Sequence, residues 1–260
     1  MGESILGLGE KVVVITGGSQ GVGRGCAVQF ARAGSHIVVV ARGKERAEDA
    51  AAEVRAMGRE ALAVEADVTV QEDIDRIVAE SLARFGRIDV WVNNVGGRRG
   101  KPEGTLLDSG RDYWNGTLDL NVITTLACSQ AAARAMIDAG HGGVILNVGS
   151  VAAYRATPNL APYGSSKAAV DQITKTLALE LAPHGIRVNG IAPGMVDTDS
   201  LREFFTDEDF VERAKHVPAG RIAGPDDLGK AAVMLASDLA SWVYGRILIA
   251  DGGELLQHGA

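Results

Sequence analysis

The apolar positions of this 260-residue chain gather into short unbroken runs separated by longer stretches with helical spacing. The runs fall at 12–15, 37–40, 61–64, 90–92, 144–148, 187–191 and 247–249. They are rich in β-branched residues and apolar at consecutive positions, the pattern of strands buried on both faces. Between them, 23–33, 45–57, 72–85, 113–139, 163–181 and 226–236 carry Ala-rich helical periodicity, long enough for the crossovers of a parallel sheet. The alternation predicts an α/β fold, a doubly wound parallel sheet with helices on both faces. No Pro/Ser-rich or charged linker and no internal repeat divides residues 1–260, which read as a single domain. In such sheets ligands bind beyond the carboxyl ends of the strands, so the residues that follow each run are the candidates for chemistry.

Composition narrows the classes. A net charge of −7 with no basic stripe argues against a nucleic-acid partner. No apolar run approaches the roughly 18 residues that span a bilayer, and the opening MGESILGLGE lacks the basic region of a secretory signal, so a cytoplasmic protein with no membrane partner is expected. Cys26 and Cys128 fall in predicted helices with no Cys or His nearby at metal-ligand spacing; they read as buried thiols, and no metal site is expected.

The first strand runs into Thr16-Gly17-Gly18-Ser19-Gln20-Gly21-Val22-Gly23, where a helix opens. Glycines there let the backbone turn tightly and approach a pyrophosphate at the positive helix end, and the Lys-Ser/Thr pair of a triphosphate loop is missing. A dinucleotide cradle, with Gly17, Ser19, Gln20, Gly21, Val22 and Gly23 as contacts, is the better reading over a plain turn. After the second strand the chain reads Val40-Ala41-Arg42-Gly43, with no carboxylate for ribose hydroxyls until Glu45. Arg42 can pair with a ribose 2′-phosphate, which favours NADP(H) over NAD(H), against the alternative of a solvated turn residue. Asp67-Val68 closes the third strand, where a carboxylate can accept from an adenine amino group, and Asn93-Asn94-Val95-Gly96 closes the fourth; both stand on the glycine loop's sheet edge.

Tyr163-Gly164-Ser165-Ser166-Lys167 opens a helical stretch, with phenol and ammonium four residues apart on one face. A free tyrosine has a pKa near 10, and a fixed cation close by is expected to lower it, allowing Tyr163 to exchange a proton with a substrate oxygen. The fifth strand ends Leu146-Asn147-Val148-Gly149-Ser150, so a hydroxyl precedes Tyr163 by thirteen residues and can donate to that oxygen.

Thr-Gly-x-x-x-Gly-x-Gly, Asn-Asn-x-Gly, Ser-x12-Tyr-x3-Lys and Pro193-Gly194 occur in this order, and with them the chain resembles the short-chain dehydrogenase/reductase family over essentially its whole length. The resemblance implies a Rossmann-like fold and a catalytic set of Asn121, Ser150, Tyr163 and Lys167, with Asn121 helping to hold a water that relays protons to Lys167. It also implies that Lys167 bonds the nicotinamide ribose, that the main chain at Val196 meets the carboxamide and that Thr198 reaches the pyrophosphate. Two positions depart from the family's habit: Val95 replaces the usual Ala, and Gln20 stands where many NADP-preferring members carry a basic residue. The expected partner is a small-molecule carbonyl or alcohol, as in 3-oxoacyl reductases or alcohol dehydrogenases. A non-catalytic nucleotide-sensing module is the rival reading, disfavoured because none of the four catalytic groups is missing; an epimerase or dehydratase is disfavoured by the shortness of the chain after Thr198.

The pocket is expected between the 97–113 stretch, with Arg98, Arg99 and Lys101, and a lid at about 195–217, with Phe204, Phe205 and Phe210. The arginines can draw an anionic group and the phenylalanines line an apolar pocket, or the charges are solvated and the aromatics pack the lid. The family habit implies a homotetramer, pairing the helices 113–139 and 163–181 in one interface and the last strand in another.

Overall fold

The computed structural model describes residues 5–99 and 105–257. Lys101 lies outside them. Seven strands, β1 (Val12–Thr16), β2 (His36–Ala41), β3 (Ala61–Glu65), β4 (Val90–Asn93), β5 (Gly143–Val148), β6 (Ile186–Pro193) and β7 (Ile247–Ala250), form one sheet in the order β3-β2-β1-β4-β5-β6-β7. Every neighbouring pair is parallel. The order reverses between β1 and β4, which opens a crevice at their carboxyl ends.

The helices are α1 (Gly21–Arg32), α2 (Lys44–Ala56), α3 (Gln71–Phe85), α4 (Arg111–Leu118), α5 (Thr124–Ala139), α6 (Ala161–Leu181), α7 (Asp199–Arg202), α8 (Asp207–Ala214) and α9 (Pro225–Ala236). Successive strand side chains point to opposite faces. Val13, Ile15, Ile37 and Val39 therefore join Phe30 of α1, Val54 of α2 and Leu228 of α9 in one layer. Val12, Val14, Val38, Val40 and Trp91 join Ile77 of α3, Met136 of α5 and Leu177 of α6 in the other. Both layers are buried, which is why most of the strands read as apolar runs. Arg187, within one of those runs, is buried for a separate reason. Its guanidinium donates to the carbonyls of Leu235 (2.8 Å), Ala236 (2.8 Å) and Ser237 (3.2 Å), capping the end of α9.

One expectation needs correction. The helix expected over 113–139 is interrupted by a π-helical turn, Asp119–Ile123, between α4 and α5. The apolar spacing on either side is helical, so the extra residue of the wide turn is invisible to periodicity; it is the kind of interruption that collects at functional sites. Asn121 sits at its centre, fully buried.

Candidate active site

A cleft of about 600 Å³ opens at the carboxyl edge of β1, β4 and β5. Gly17, Ser19, Gln20, Gly21, Val22, Arg42, Asp67, Val68, Asn94, Val95, Gly96, Ser150, Tyr163, Lys167, Pro193, Gly194, Val196 and Thr198 all line it. Two of the expected site residues do not. Gly23 lies beneath the loop, and Asn121 lies behind the wall, where its neighbour Leu120 faces the cleft instead.

At one end, α1 starts from Gln20 in extended backbone, with no side-chain cap and no acid in its first turn. Its first amides therefore point at the cleft without a protein acceptor, the arrangement that receives an anion. Gly17 holds a φ of 64°, and a Cβ on Gly23 would stand 2.1 Å from the Gly17 carbonyl oxygen, so the loop can follow this path only with glycine at both. Asn94 fastens the loop from β4: its Nδ2 donates to the carbonyls of Thr16 (3.0 Å) and Gly17 (3.2 Å), while its backbone N donates to Thr16 Oγ1 (3.0 Å). From the far side Thr198 packs on the loop, with its Cγ2 within 3.2 Å of where a Gly21 Cβ would be.

Beside this loop stands Arg42, and Arg46 joins it by donating from Nη1 to Gln20 Oε1 at 3.1 Å. Arg46 is not among the residues that the motifs single out; its signal is its place four residues after Arg42, in the first turn of α2. Gln20, which stands where a basic residue was wanted, instead brings one in. Asp67 Oδ1 accepts from the Thr69 amide (3.0 Å) and hydroxyl (2.8 Å). The Thr69 hydrogen bonds, aided by the charges of Arg42 and Arg99, hold its carboxyl below the usual range.

At the other end, Tyr163 and Lys167 rise from the first turns of α6 toward Ser150 at the end of β5. Ser150 Oγ accepts from the Ala152 amide at 3.1 Å and hydrogen-bonds the Tyr163 side chain. Lys167 donates to the Val148 carbonyl at 2.7 Å, and its Nζ lies 5.8 Å from the centre of the Tyr163 ring. The lowered phenol pKa expected from this cation is not found. Burial raises the pKa of Tyr163, against the Ser150 hydrogen bond and the charge of Arg98, which lower it. The amine is turned to the main chain, and burial pulls its own pKa down to about 8, Asp171 acting in the opposite sense. Asn121 spends its whole amide on the framework: Oδ1 accepts from Gly97 N (2.8 Å), and Nδ2 donates to Gly97 O (2.9 Å) and Ser166 Oγ (2.8 Å). Gly96 is where these groups crowd together, since a Cβ there would lie 2.9 Å from both Asn121 Oδ1 and Lys167 Nζ.

A family model described as enoyl-(acyl carrier protein) reductase matches residues 17–254. The 7alpha-hydroxysteroid dehydrogenase of Escherichia coli (strain K12) is 36% identical over 249 residues, 95% of each protein. The 3beta-hydroxysteroid dehydrogenase 1 of Eggerthella lenta is 39% identical over 253 residues, 96% of this chain and 95% of that protein. The chain belongs to the short-chain dehydrogenase/reductase family. Solved short-chain dehydrogenase/reductase structures superpose closely. A 7alpha-hydroxysteroid dehydrogenase complexed with NADH and 7-oxo glycochenodeoxycholic acid gives a TM-score of 0.87 at 35% identity, over 95% of this chain and 94% of that one. A short-chain type dehydrogenase/reductase from Mycobacterium marinum gives 0.88 at 32% identity, over 96% and 97%. As a member of this family, the chain is an oxidoreductase that acts on alcohol or carbonyl groups.

In the 195–217 segment of this short-chain dehydrogenase/reductase, the second of the two readings of the phenylalanines, packing rather than lining, is the one found for Phe205 and Phe210. Ser200 and Leu201 line the cleft, whereas Phe205 and Phe210 pack edge to face (6.3 Å between ring centres) under the guanidinium groups of Arg213 and Arg202. Arg202 also pairs with Asp197 (2.6 Å) and Asp207 (2.8 Å), closing the segment on itself. Cys26 and Cys128 are buried as expected, and burial pushes both thiols up to about 12. Among the described residues no helix is long and apolar enough to cross a membrane.

Proposed function

We propose that this oxidoreductase interconverts a ketone or aldehyde with its alcohol, using NADP(H) in preference to NAD(H), with Tyr163 as the proton-transfer group. The carrying observation is the meeting of Ser150, Tyr163 and Lys167 at one end of a cleft whose other end offers the uncapped, acid-free start of α1. That start fits a pyrophosphate, and Arg42 and Arg46, neither ion-paired with a carboxylate among the described residues, fit a 2′-phosphate beside it. Bound there, the nicotinamide ring supplies or accepts the hydride at carbon.

The remaining work falls to side chains. In reduction, the carbonyl carbon gains the hydride and the Tyr163 hydroxyl gives its proton to the carbonyl oxygen, leaving an alcohol and a phenolate; oxidation runs the same steps backwards. A phenol whose pKa burial has raised is protonated at neutral pH, as a proton donor must be. Ser150 steadies the developing oxyanion by donating to it. Lys167, as an ammonium, favours the phenolate left behind and offers donors to the ribose; Asn121 positions Gly97 and, through Ser166, the start of α6. Val68, Val95, Pro193, Gly194, the Val196 main chain and Thr198 form the walls against which the cofactor rests.

Residues 195–217 are proposed as the substrate lid, and the assembly as a homotetramer. Trp242 (94% exposed) and Leu256 (80%) flank β7, and Leu179 (78%) stands on α6, large apolar groups left for neighbouring subunits. A cytoplasmic setting suits two free cysteines. Titration of NADPH and NADH by fluorescence, followed by a panel of ketones and alcohols, tests the central reading. NADH binding at least tenfold tighter than NADPH refutes the role given to Arg42, absence of any nicotinamide-dependent turnover refutes the reaction, and a monomer in sedimentation refutes the assembly.

A further inference from the structure

The charges along the cleft are lopsided for a chain of net charge −7. Arg42, Arg46, Arg98, Arg99 and Lys167 line it, and Asp67 is the single acid among its described lining residues. Arg42 and Arg46 belong to the glycine-loop end. Arg99 lays its side-chain stem against Gly116 of α4, and its charge acts on Asp67. Arg98 alone among the four arginines bears on the reaction end: its charge acts on Tyr163, and no carboxylate pairs with it among the described residues.

Arg98 is also held in place. The preceding residue, Gly97, is clamped through both its N–H and its carbonyl by Asn121, which the π-helical turn delivers. The guanidinium lies 5.2 Å from the centre of the Phe204 ring, on the lid side. An exposed cation on a fixed backbone, flanked by an aromatic face, loses little freedom on binding an anion. Apolar side chains share the lining of the same cleft: Leu120 from the π-helical turn, Leu201 from α7 and Val196 before it.

We propose that Arg98 is a specificity-determining residue that selects amphipathic keto-anions, in which an apolar body lies on Leu120 and Leu201 and a carboxylate or similar compact anion meets the guanidinium while the ketone reaches Ser150 and Tyr163. The inference rests on the oxidoreductase reading above. Its test separates the two. Wild type, Arg98→Gln and Arg98→Lys are assayed with saturating NADPH on three matched pairs of keto acid and methyl ester: 5-oxohexanoate, 5-oxodecanoate and 4-acetylbenzoate. A charge-assisted contact on a guanidinium is worth about tenfold or more in kcat/KM. At least one acid is therefore expected to exceed its ester by about tenfold in the wild type, with the ratio falling to about one in Arg98→Gln and partly kept in Arg98→Lys. The ratio within a pair cancels any effect of the substitution on cofactor binding. Esters equal to or better than acids in every pair, or an acid preference that survives Arg98→Gln, overturns the proposal. Should wild type reduce none of the six, the reaction assignment fails for these compounds, and thermal shifts decide Arg98 separately. Acids must then raise the Tm of the NADPH-loaded wild type more than esters do, and lose that advantage in Arg98→Gln; equal shifts overturn the proposal.

Discussion

In the proposed function the two ends of the cleft recognise by different means. At the glycine-loop end the proposed binding groups are backbone: the first amides of α1, exposed because Gly17 turns with positive φ and Gly23 lets the helix approach the strand. Side chains there mostly brace the main chain, as Asn94 does on Thr16 and Gly17. At the other end the proposed working groups are the side chains of Ser150, Tyr163 and Lys167, and the backbone braces them, as the Val148 carbonyl does for Lys167. A backbone site tolerates few sequences but serves one fixed ligand shape. A side-chain site can keep its chemistry while its surroundings, here Arg98, Leu120 and Leu201, change the substrate.

The sharpest way to break this division is at the phenol. Tyr163→Phe removes one oxygen and leaves the backbone cradle intact, so kcat is expected to fall by about 10³-fold or more while the Kd for NADPH stays within about threefold. Single-turnover assays with fluorescence titration measure both. Retention of most turnover defeats the proton-transfer role, and a large loss of cofactor affinity shows that the two ends are not separable.

The converse variant is Gly23→Ala. Its methyl must enter a space 2.1 Å from the Gly17 carbonyl oxygen, against backbone that cannot swing away as a side chain can. Overpacking of this kind costs about 1–3 kcal/mol, readable as a lower urea midpoint, and the displaced loop should lose NADPH affinity together with stability. Normal stability combined with normal affinity contradicts the close approach.

Arg42→Ala probes the edge where the two modes mix, because the proposed 2′-phosphate site is made of side chains at the backbone end. NADPH affinity is expected to fall about tenfold to a hundredfold, with NADH affinity nearly unchanged, in parallel titrations. Arg46, still anchored on Gln20, preserves part of the preference. An equal loss for both cofactors reduces Arg42 to a general phosphate contact.

The same contrast explains what was legible in the sequence. The strands and the glycine loop can be read from composition along the chain, because two-sided burial favours apolar runs, interrupted only at Asn147 in one strand and at Arg187, Asn189 and Gly190 in another, and a backbone site demands glycine. Tyr163, Lys167 and Ser150 are visible through spacing, since four residues fix a helix face. What spacing does not carry is where a flexible side chain ends. Lys167 points to a carbonyl rather than to the phenol, the two readings of Phe205 and Phe210 are separated only by their packing on each other, and Arg46 enters the cleft through its bond to Gln20. The π-helical turn at Asn121 escapes for a related reason: one added residue leaves the apolar spacing on both sides undisturbed.

The smallest effect concerns a residue that touches neither ligand end. Asp171 stands one turn beyond Lys167 on α6, accepts a hydrogen bond from the Tyr154 hydroxyl and leaves its buried Oδ1 without a partner. Burial raises the pKa of Asp171, while the Tyr154 hydrogen bond, Lys175 and Lys167 lower it; its charge in turn raises the pKa of Lys167 against the larger effect of burial. If reduction needs the ammonium form, activity is present below about 8 and declines as pH rises through that value. Asp171→Asn keeps an acceptor for Tyr154 and deletes the charge, so the Lys167 pKa drops further and the alkaline limb of kcat/KM must move to lower pH, by about one unit or less because burial and not Asp171 is the larger influence on Lys167. A profile from pH 6 to 10 reads the shift directly. Movement toward higher pH refutes the assignment of that limb to Lys167, whereas no movement means that Asp171 is neutral over this range and that Lys167 keeps its charge through the Val148 carbonyl alone.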